Sequence, residues 1–398
     1  MYNPNSINAL FTLDKCFHNA LKNGHVFRTA ELEAVVKVLS CKTHKLGAKA
    51  YSCTNPRCSH EKRVCNTCKS KLCTSCGQKA TERWIAVINS ILPDCKYRHI
   101  TFTMPKAFWL IFQYNRVLLN HLFSLAANTL IKLAKKRGVT VGIFSALHTY
   151  GRQINFNCHI HLSIAEFGLN RQGKLKSFSF KFDLLMSQWR YEVINLLRTH
   201  YPVLILPPEL EVEGNSPQSW TAFLDRNYNR HWNVNVNVNV AKNTTHKTHT
   251  AKYLGSYVKK PPIAAARLAD YTGGDVTFTY LDHRSKSYKD LTLSQTEMML
   301  RILNHVPEKH FKMIRYFGFL SNRLRGRLLP LIYKQLGQEV VTAKTFGFAA
   351  MMKAFLKVDP FKCILCGARM VFTGFIIAGL KVGQLVSAIE NIALQRPI

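Results

Sequence analysis

Acidic residues are what this chain has least of. Among its 398 residues only 22 are Asp or Glu, against 55 Lys and Arg, which leaves a formal net charge of +33. So few carboxylates give no convincing home to an acidic triad around two metal ions, so strand-transfer chemistry of that kind is set aside. Long apolar runs are also missing. The longest near the C-terminus, Met370 to Leu380, falls well short of the roughly 20 residues that span a bilayer. The opening MYNPNSINALFTLDKCF has no charged start leading into an apolar stretch, so no secretory leader is expected and a cytoplasmic location is. No internal repeat in the range of about 20–50 residues is apparent, which sets aside solenoids. A phosphate-binding loop is absent as well. Residues 168–174, GLNRQGK, approach Gly-x4-Gly-Lys, but Leu175 follows where a magnesium-binding Ser or Thr belongs. The stretch reads as a polar hairpin turn, and no nucleotide cofactor is expected.

What the chain does have is cationic charge and cysteine. A surplus of +33 opposes compact folding unless a polyanion or solvent ions screen it, so nucleic acid is the expected partner and an acidic membrane surface a distant second. Hydrophobic residues at 47% are enough for a globular protein. The 12 cysteines sit in a long chain for which no leader is expected and cluster in Cys-x-x-Cys pairs, a pattern of reduced thiolates on metal rather than disulfides.

Residues 41–78 hold Cys41, Cys53, Cys58, Cys65, Cys68, Cys73 and Cys76, with His44 and His60 among them and little apolar sequence. Such a segment has no hydrophobic core of its own, so a metal must hold it. Zinc takes four soft or borderline ligands in a tetrahedron, and a closely spaced cysteine pair supplies two of them from one tight turn. Cys53 with Cys58 and Cys73 with Cys76 are expected to form one ribbon-like site. Cys41, Cys65, Cys68 and His60 are the candidates for a second. Cys363-x-x-Cys366 is a knuckle without an obvious second pair, which either completes a site with distant residues or binds nothing. Cys16 and Cys95 lie in apolar surroundings and read as core.

Hydrophobic periodicity predicts helices over residues 1–40, from Thr81 to Pro93, over 107–136 as one helix or a pair, and over 179–199. Strands are expected at 97–104 (YRHITFTM), about 139–149, about 158–167, across NVNVNVNV at 233–240, and from Val276 to Leu281. Helices rich in Arg and Lys follow. Strands interleaved with helices, and at least one hairpin, make the fold class α+β.

Two small constellations carry chemistry. His159 and His161 stand two apart in CHIHLS, so on a strand both imidazoles project to one face. Two buried rings without partners would cost a few kcal/mol, which metal ligation offsets, and two neutral imidazoles are half of a divalent-cation site. His148 or Asn157 could supply a third ligand, with His148 preferred. Glu166 has the opposite parity and should face away. Tyr253 and Tyr257 stand four apart in AKYLGSYVKKPP, hence on one face of a helix, beside Lys252, Lys259 and Lys260. Lysines near a phenol ease its ionisation and bind phosphate. Phenols near a metal are candidate nucleophiles toward a phosphodiester.

Taken in order, SKLCTSCGQKA, YRHITFTMP, HTYGRQINFNCHIHLS, AKYLGSYVKKPP and RYFGFLSNR resemble the HUH endonuclease superfamily, and within it the two-tyrosine rolling-circle transposases of insertion-sequence family 91. The likeness runs from about residue 25 to 370. It implies His159 and His161 as ligands of Mg²⁺ or Mn²⁺, Tyr253 and Tyr257 as nucleophiles, structural Zn²⁺, and DNA, single-stranded or hairpin, as substrate. The chain departs from the family at Asn157 and Cys158, where members tend to carry a further His and a Pro. Three domains are then expected: 1–92, helical and zinc-binding; 93–265, the nuclease with a central antiparallel sheet and the tyrosine helix; and 266–398, basic and mainly helical. Arg267, Arg315, Arg323, Arg325 and Arg327 are candidate DNA contacts. A plasmid replication initiator or relaxase shares the chemistry but is disfavoured by the amino-terminal cysteines. A zinc-ribbon DNA-binding protein without catalysis is the rival from another class.

Overall fold

The computed structural model describes residues 7–230, 232, 234–236, 251, 255, 261–272, 274–282, 285–340, 347, 349–350, 352–353 and 357–377. Its strands are β1 (Ala48–Cys53), β2 (Glu61–Cys65), β3 (Tyr97–Phe102), β4 (Val139–Tyr150), β5 (Phe156–Asn170), β6 (Leu175–Ser177), β7 (Val234–Val236), β8 (Leu268–Thr272), β9 (Asp275–Leu281), β10 (Tyr288–Ser294), β11 (Ile314–Gly318) and β12 (Met370–Ile376). They belong to two compact units. One is drawn from residues 85–258 and 310–343, the other from 1–84, 259–309 and 344–398. Neither is continuous in sequence, unlike the three consecutive domains expected. The basic C-terminal third divides between them, and it contributes β8 to β12 beside its helices.

The first unit is built on an antiparallel sheet in the order β11-β4-β5-β3-β7, with β6 hydrogen-bonded to β5. Strand alternation gives the sheet two chemically distinct faces. Phe102, Leu147, Ile160, Leu162 and Ile164 turn to one side and join the main hydrophobic core. The helices Trp109–Tyr114, Leu119–Lys136, Phe182–His200 and Pro217–Tyr228 contribute to that same core.

Residues Leu119–Lys136 form a helix because Leu119, Leu122, Phe123, Ala126, Ala127, Leu130 and Ala134 recur at spacings of three and four, and all are buried. Burying each Leu or Phe contributes about 1.5–3 kcal/mol. The helix ends where Lys135 and Lys136 meet its negative pole and Gly138 adopts φ +69°. By length and composition Arg116–Lys136 could cross a membrane, but its apolar stripe is spent on the sheet. The GLNRQGK stretch forms the hairpin between β5 and β6, with Gly173 at φ +72°.

The edge strand β11 ends at Gly318, whose φ is +59° and where an added Cβ would lie 1.7 Å from the Val141 carbonyl oxygen. Only glycine fits both the left-handed backbone and that approach. Gly318→Ala is therefore expected to destabilise this unit by about 1–3 kcal/mol, seen as a lower thermal midpoint. An unchanged midpoint would contradict the reading.

The second unit opens with helices Ile7–Thr12, Cys16–Lys22 and Thr29–Leu39, whose apolar faces are buried as their periodicity predicts. The β1-β2 hairpin follows, and β12 from the far end of the chain pairs with β1 to make a three-stranded sheet. The strands β8, β9 and β10 form a separate meander, followed by the helix Gln295–Leu303. The Gln295 side chain donates to the carbonyls of Leu10 and Leu13 at 3.1 and 3.0 Å.

Candidate metal centre

Three imidazoles gather on the sheet face opposite the helices. Antiparallel pairing sets His148 directly across from His159, and His161 across from Ala146 on one side and Thr101 on the other. The i, i+2 spacing brings His159 and His161 to the same face, and a register irregularity after His148 marks the end of regular pairing there. The candidate ligand atoms of His148, His159 and His161 all lie within 4.8 Å of one another. All three residues are buried, at 6%, 9% and 7% exposure.

Neighbouring groups fix the rings. His159 Nδ1–H donates to the Asn157 carbonyl at 2.8 Å, which leaves Nε2 with a lone pair, 3.0 Å from His148 Nδ1. His161 Nδ1 lies 3.0 Å from His99 Nε2, and His99 Nδ1 lies 3.4 Å from Ser163 Oγ. A neutral relay in which His161 donates to His99 and His99 to Ser163 satisfies these contacts and leaves His161 Nε2 as an electron-pair donor. Burial pushes His99 and His159 down to about 4 and His161 well below the ordinary imidazole range, with the neighbouring rings adding to the effect at His161. All are neutral at physiological pH, the state a divalent cation requires. Three imidazoles whose candidate ligand atoms gather this closely fit such a cation. They would also suit zinc or another first-row metal, since imidazole is a borderline ligand.

His99, 2% exposed, was not singled out in the sequence. The signal was present: in YRHITFTM strict alternation puts Tyr97, His99 and Thr101 on one face, and Thr101 pairs with His161. Glu166, expected to face away, forms an ion pair with Arg98 Nε at 2.7 Å. Asn157 supplies its backbone carbonyl to orient His159. Cys158 is fully buried, and burial raises its thiol well above the usual range, so it is an inert core residue. Cys95 is pushed up to about 12 for the same reason.

The thiols of the second unit divide differently from the expected ribbon. Cys73 and Cys76 gather with Cys41 and Cys68, whereas Cys53 and Cys58 gather with Cys363 and Cys366. Cys65 and His44 belong to neither group, and His60 places Nδ1 3.1 Å from Cys363 Sγ. The reason is topological. Cys41 follows the Thr29–Leu39 helix, Cys68 follows β2, and Cys73 and Cys76 flank the start of the Thr74–Ile91 helix. Cys53 closes β1 opposite Met370 of β12, which carries the distant knuckle to it. In the first group the sulfurs of Cys41 and Cys76, Cys68 and Cys76, and Cys73 and Cys41 are 3.7, 3.6 and 3.8 Å apart. A tetrahedron of thiolates with bonds of about 2.3 Å to zinc has edges of about 3.8 Å, so the four fit zinc.

The candidate DNA contacts have different environments. Arg315 donates to the backbone and side-chain oxygens of Asn120 and lies over the Phe123 ring at 4.6 Å. Arg267 donates to the Thr279 carbonyl at 2.8 Å and lies over Phe278. Both are engaged within their own units. Arg323 and Arg327 are exposed and Arg325 half-buried on the Asn322–Gln335 helix. Tyr253, Tyr257, Lys252, Lys259 and Lys260 lie outside the described residues, as do residues 237–240 of the Asn-Val run.

A domain model described as "Putative transposase" matches residues 142–327, and one described as "Transposase zinc-binding domain" matches residues 12–104. The first covers β4 from Gly142 onward, β5 and the three imidazoles; the second spans the whole Cys41, Cys68, Cys73 and Cys76 group. Fold and site together define a transposase with an N-terminal zinc-binding domain. Over 399 residues the chain is 46% identical to the transposase for insertion sequence element IS801 of Pseudomonas savastanoi pv. phaseolicola, covering 99% of this chain and 95% of that protein. It is 27% identical over 323 residues to the "Putative transposase y4qJ" of Sinorhizobium fredii (strain NBRC 101917 / NGR234), covering 78% and 80%. The chain belongs to the IS91 family of transposases. No solved structure matches it.

Proposed function

We propose that this transposase cuts and rejoins single DNA strands by transesterification through a 5′-phosphotyrosine, in rolling-circle transposition. The observation that carries the reading is the convergence of His148, His159 and His161 at one end of a sheet, in a chain with a net charge of +33. A divalent cation held there, Mg²⁺ or Mn²⁺, would neutralise charge on a phosphodiester oxygen. The protein's own contribution is orientation. The Asn157 carbonyl fixes the His159 tautomer, and His99 fixes that of His161.

The phenol oxygen of Tyr253 or Tyr257 attacks phosphorus in line. One tyrosyl O–P bond forms, the bond from phosphorus to the 3′ oxygen breaks, and the phenolic proton ends on the released 3′-hydroxyl. The number of phosphodiesters is conserved, so the step needs no nucleotide. The second tyrosine can cut another strand while the first still holds DNA, as transfer from donor to target requires. Lys252, Lys259 and Lys260 neutralise phosphate beside the tyrosines. The zinc module, with Arg323, Arg325 and Arg327, grips the transposon end, single-stranded or hairpin. The protein acts in the cytoplasm, at the nucleoid.

Incubation with end-derived single-stranded DNA and Mn²⁺ is expected to give a protein–DNA adduct that survives denaturing electrophoresis and is destroyed by protease. Changing Tyr253 and Tyr257 together to Phe removes the adduct. An adduct that persists in the double variant would move the nucleophile elsewhere.

A further inference from the structure

We infer that Cys53, Cys58, Cys363 and Cys366 bind a second structural zinc ion that fastens the C-terminal β12 segment onto the N-terminal zinc-binding domain. The zinc-binding match ends at residue 104, so half of this ligand set comes from outside it. The inference does not depend on the nuclease chemistry.

The distances support four thiolates around one ion. Cys53 and Cys366 sulfurs are 3.4 Å apart and those of Cys58 and Cys363 are 3.8 Å apart, and all four lie within 4.8 Å of one another. Two of the contacts link the N-terminal pair to the C-terminal pair, as a shared ion requires. The separations are near the tetrahedral edge of about 3.8 Å and far beyond the S–S bond of about 2.05 Å. All four cysteines are free thiols.

Local structure is that of two ligand-bearing turns. The Asn55 amide donates to Cys53 Sγ at 3.4 Å. In the distant knuckle the Gly367 amide donates to the Cys363 carbonyl at 3.0 Å, and the Cys363 amide to the Ala368 carbonyl at 2.7 Å. Gly367 sits at φ +77°, which lets the chain turn back through the knuckle. His60 Nδ1, 3.1 Å from Cys363 Sγ, can donate to that sulfur once it is a thiolate. It thus serves as an orienting partner, and the sulfur count is already complete without it.

Backbone pairing presents the two halves independently of any ion. Cys53 is in register with Met370, and the Thr54 amide donates to the Arg369 carbonyl at 2.9 Å. Four sulfurs select zinc over magnesium, calcium or manganese. Without metal, the exposed Cys366 beside three further thiols would be prone to oxidation in this chain. The tether closes a loop of some three hundred residues, since Cys58 and Cys363 are 305 apart in sequence.

The test is zinc content by elemental analysis of the purified full-length chain, with mass-spectrometric mapping of native-state alkylation. Cys363→Ser/Cys366→Ser is expected to contain one zinc fewer per chain than the unaltered protein, and to leave Cys53 and Cys58 open to N-ethylmaleimide. In the unaltered protein all four thiols are protected, and a zinc chelator exposes them together, a readout that does not depend on the variant folding. Equal zinc content in a folded variant, or free alkylation of Cys53 and Cys58 in the zinc-replete protein, would overturn the inference.

Discussion

His159→Ala is expected to lower the proposed strand cleavage by about a thousandfold, on the scale of losing one preorganised charge-stabilising group, while DNA affinity is expected to stay within about twofold because phosphate contacts dominate it. His159 is the centre of the three-imidazole arrangement. One ring nitrogen is committed to the Asn157 carbonyl and the other faces His148 at 3.0 Å. Alanine keeps the strand register of β5 and removes one candidate ligand atom. Cleavage and binding are measured on the same end-derived oligonucleotide. If both are lost together, His159 is a structural residue of the sheet and the metal reading fails.

Cys73→Ser in the full-length chain is expected to release zinc from the Cys41, Cys68, Cys73 and Cys76 group and to unfold the segment it organises. Structural zinc in small domains is worth about 10–16 kcal/mol of folding free energy. The segment from Cys41 to Cys76 has few buried apolar residues to replace it: Ala48, Leu72, Cys73 and Cys76 are the buried ones. Hydrogen exchange should show β1, β2 and the first turns of the Thr74–Ile91 helix losing protection, while β4 and β5 keep theirs. Retained protection in a zinc-free variant would show that the segment holds itself.

Much of this was legible in the sequence, and the failures have physical causes. The His159–His161 pair could be placed on one face because strand periodicity is two residues, and His148 could be favoured because an antiparallel neighbour must end near it. The α+β class followed from strands interleaved with helices. Grouping the cysteines did not succeed. Spacing identifies which thiols share a turn, but which turns share an ion depends on strand pairing, and β12 reaches β1 from more than three hundred residues away. His99 was passed over because a lone histidine in a strand signals nothing until its neighbour is known to carry another imidazole. Arg315 looked like a DNA contact by charge alone, whereas the fold spends its guanidinium on Asn120 and Phe123. Likewise β10 and β11, which carry Lys289 and Arg315, were hidden in a region whose basic residues suggested solvated helices, whereas β12 lies in the apolar run from Met370, where composition alone does not distinguish strand from helix.

The most direct measurement is pulsed electron paramagnetic resonance of Mn²⁺ bound to the full-length protein, reading couplings to directly bonded nitrogen. The three-imidazole centre predicts nitrogen coupling from several histidine rings, diminished in His159→Ala. Mn²⁺ bound with no nitrogen coupling, or with coupling that the substitution leaves unchanged, would contradict it.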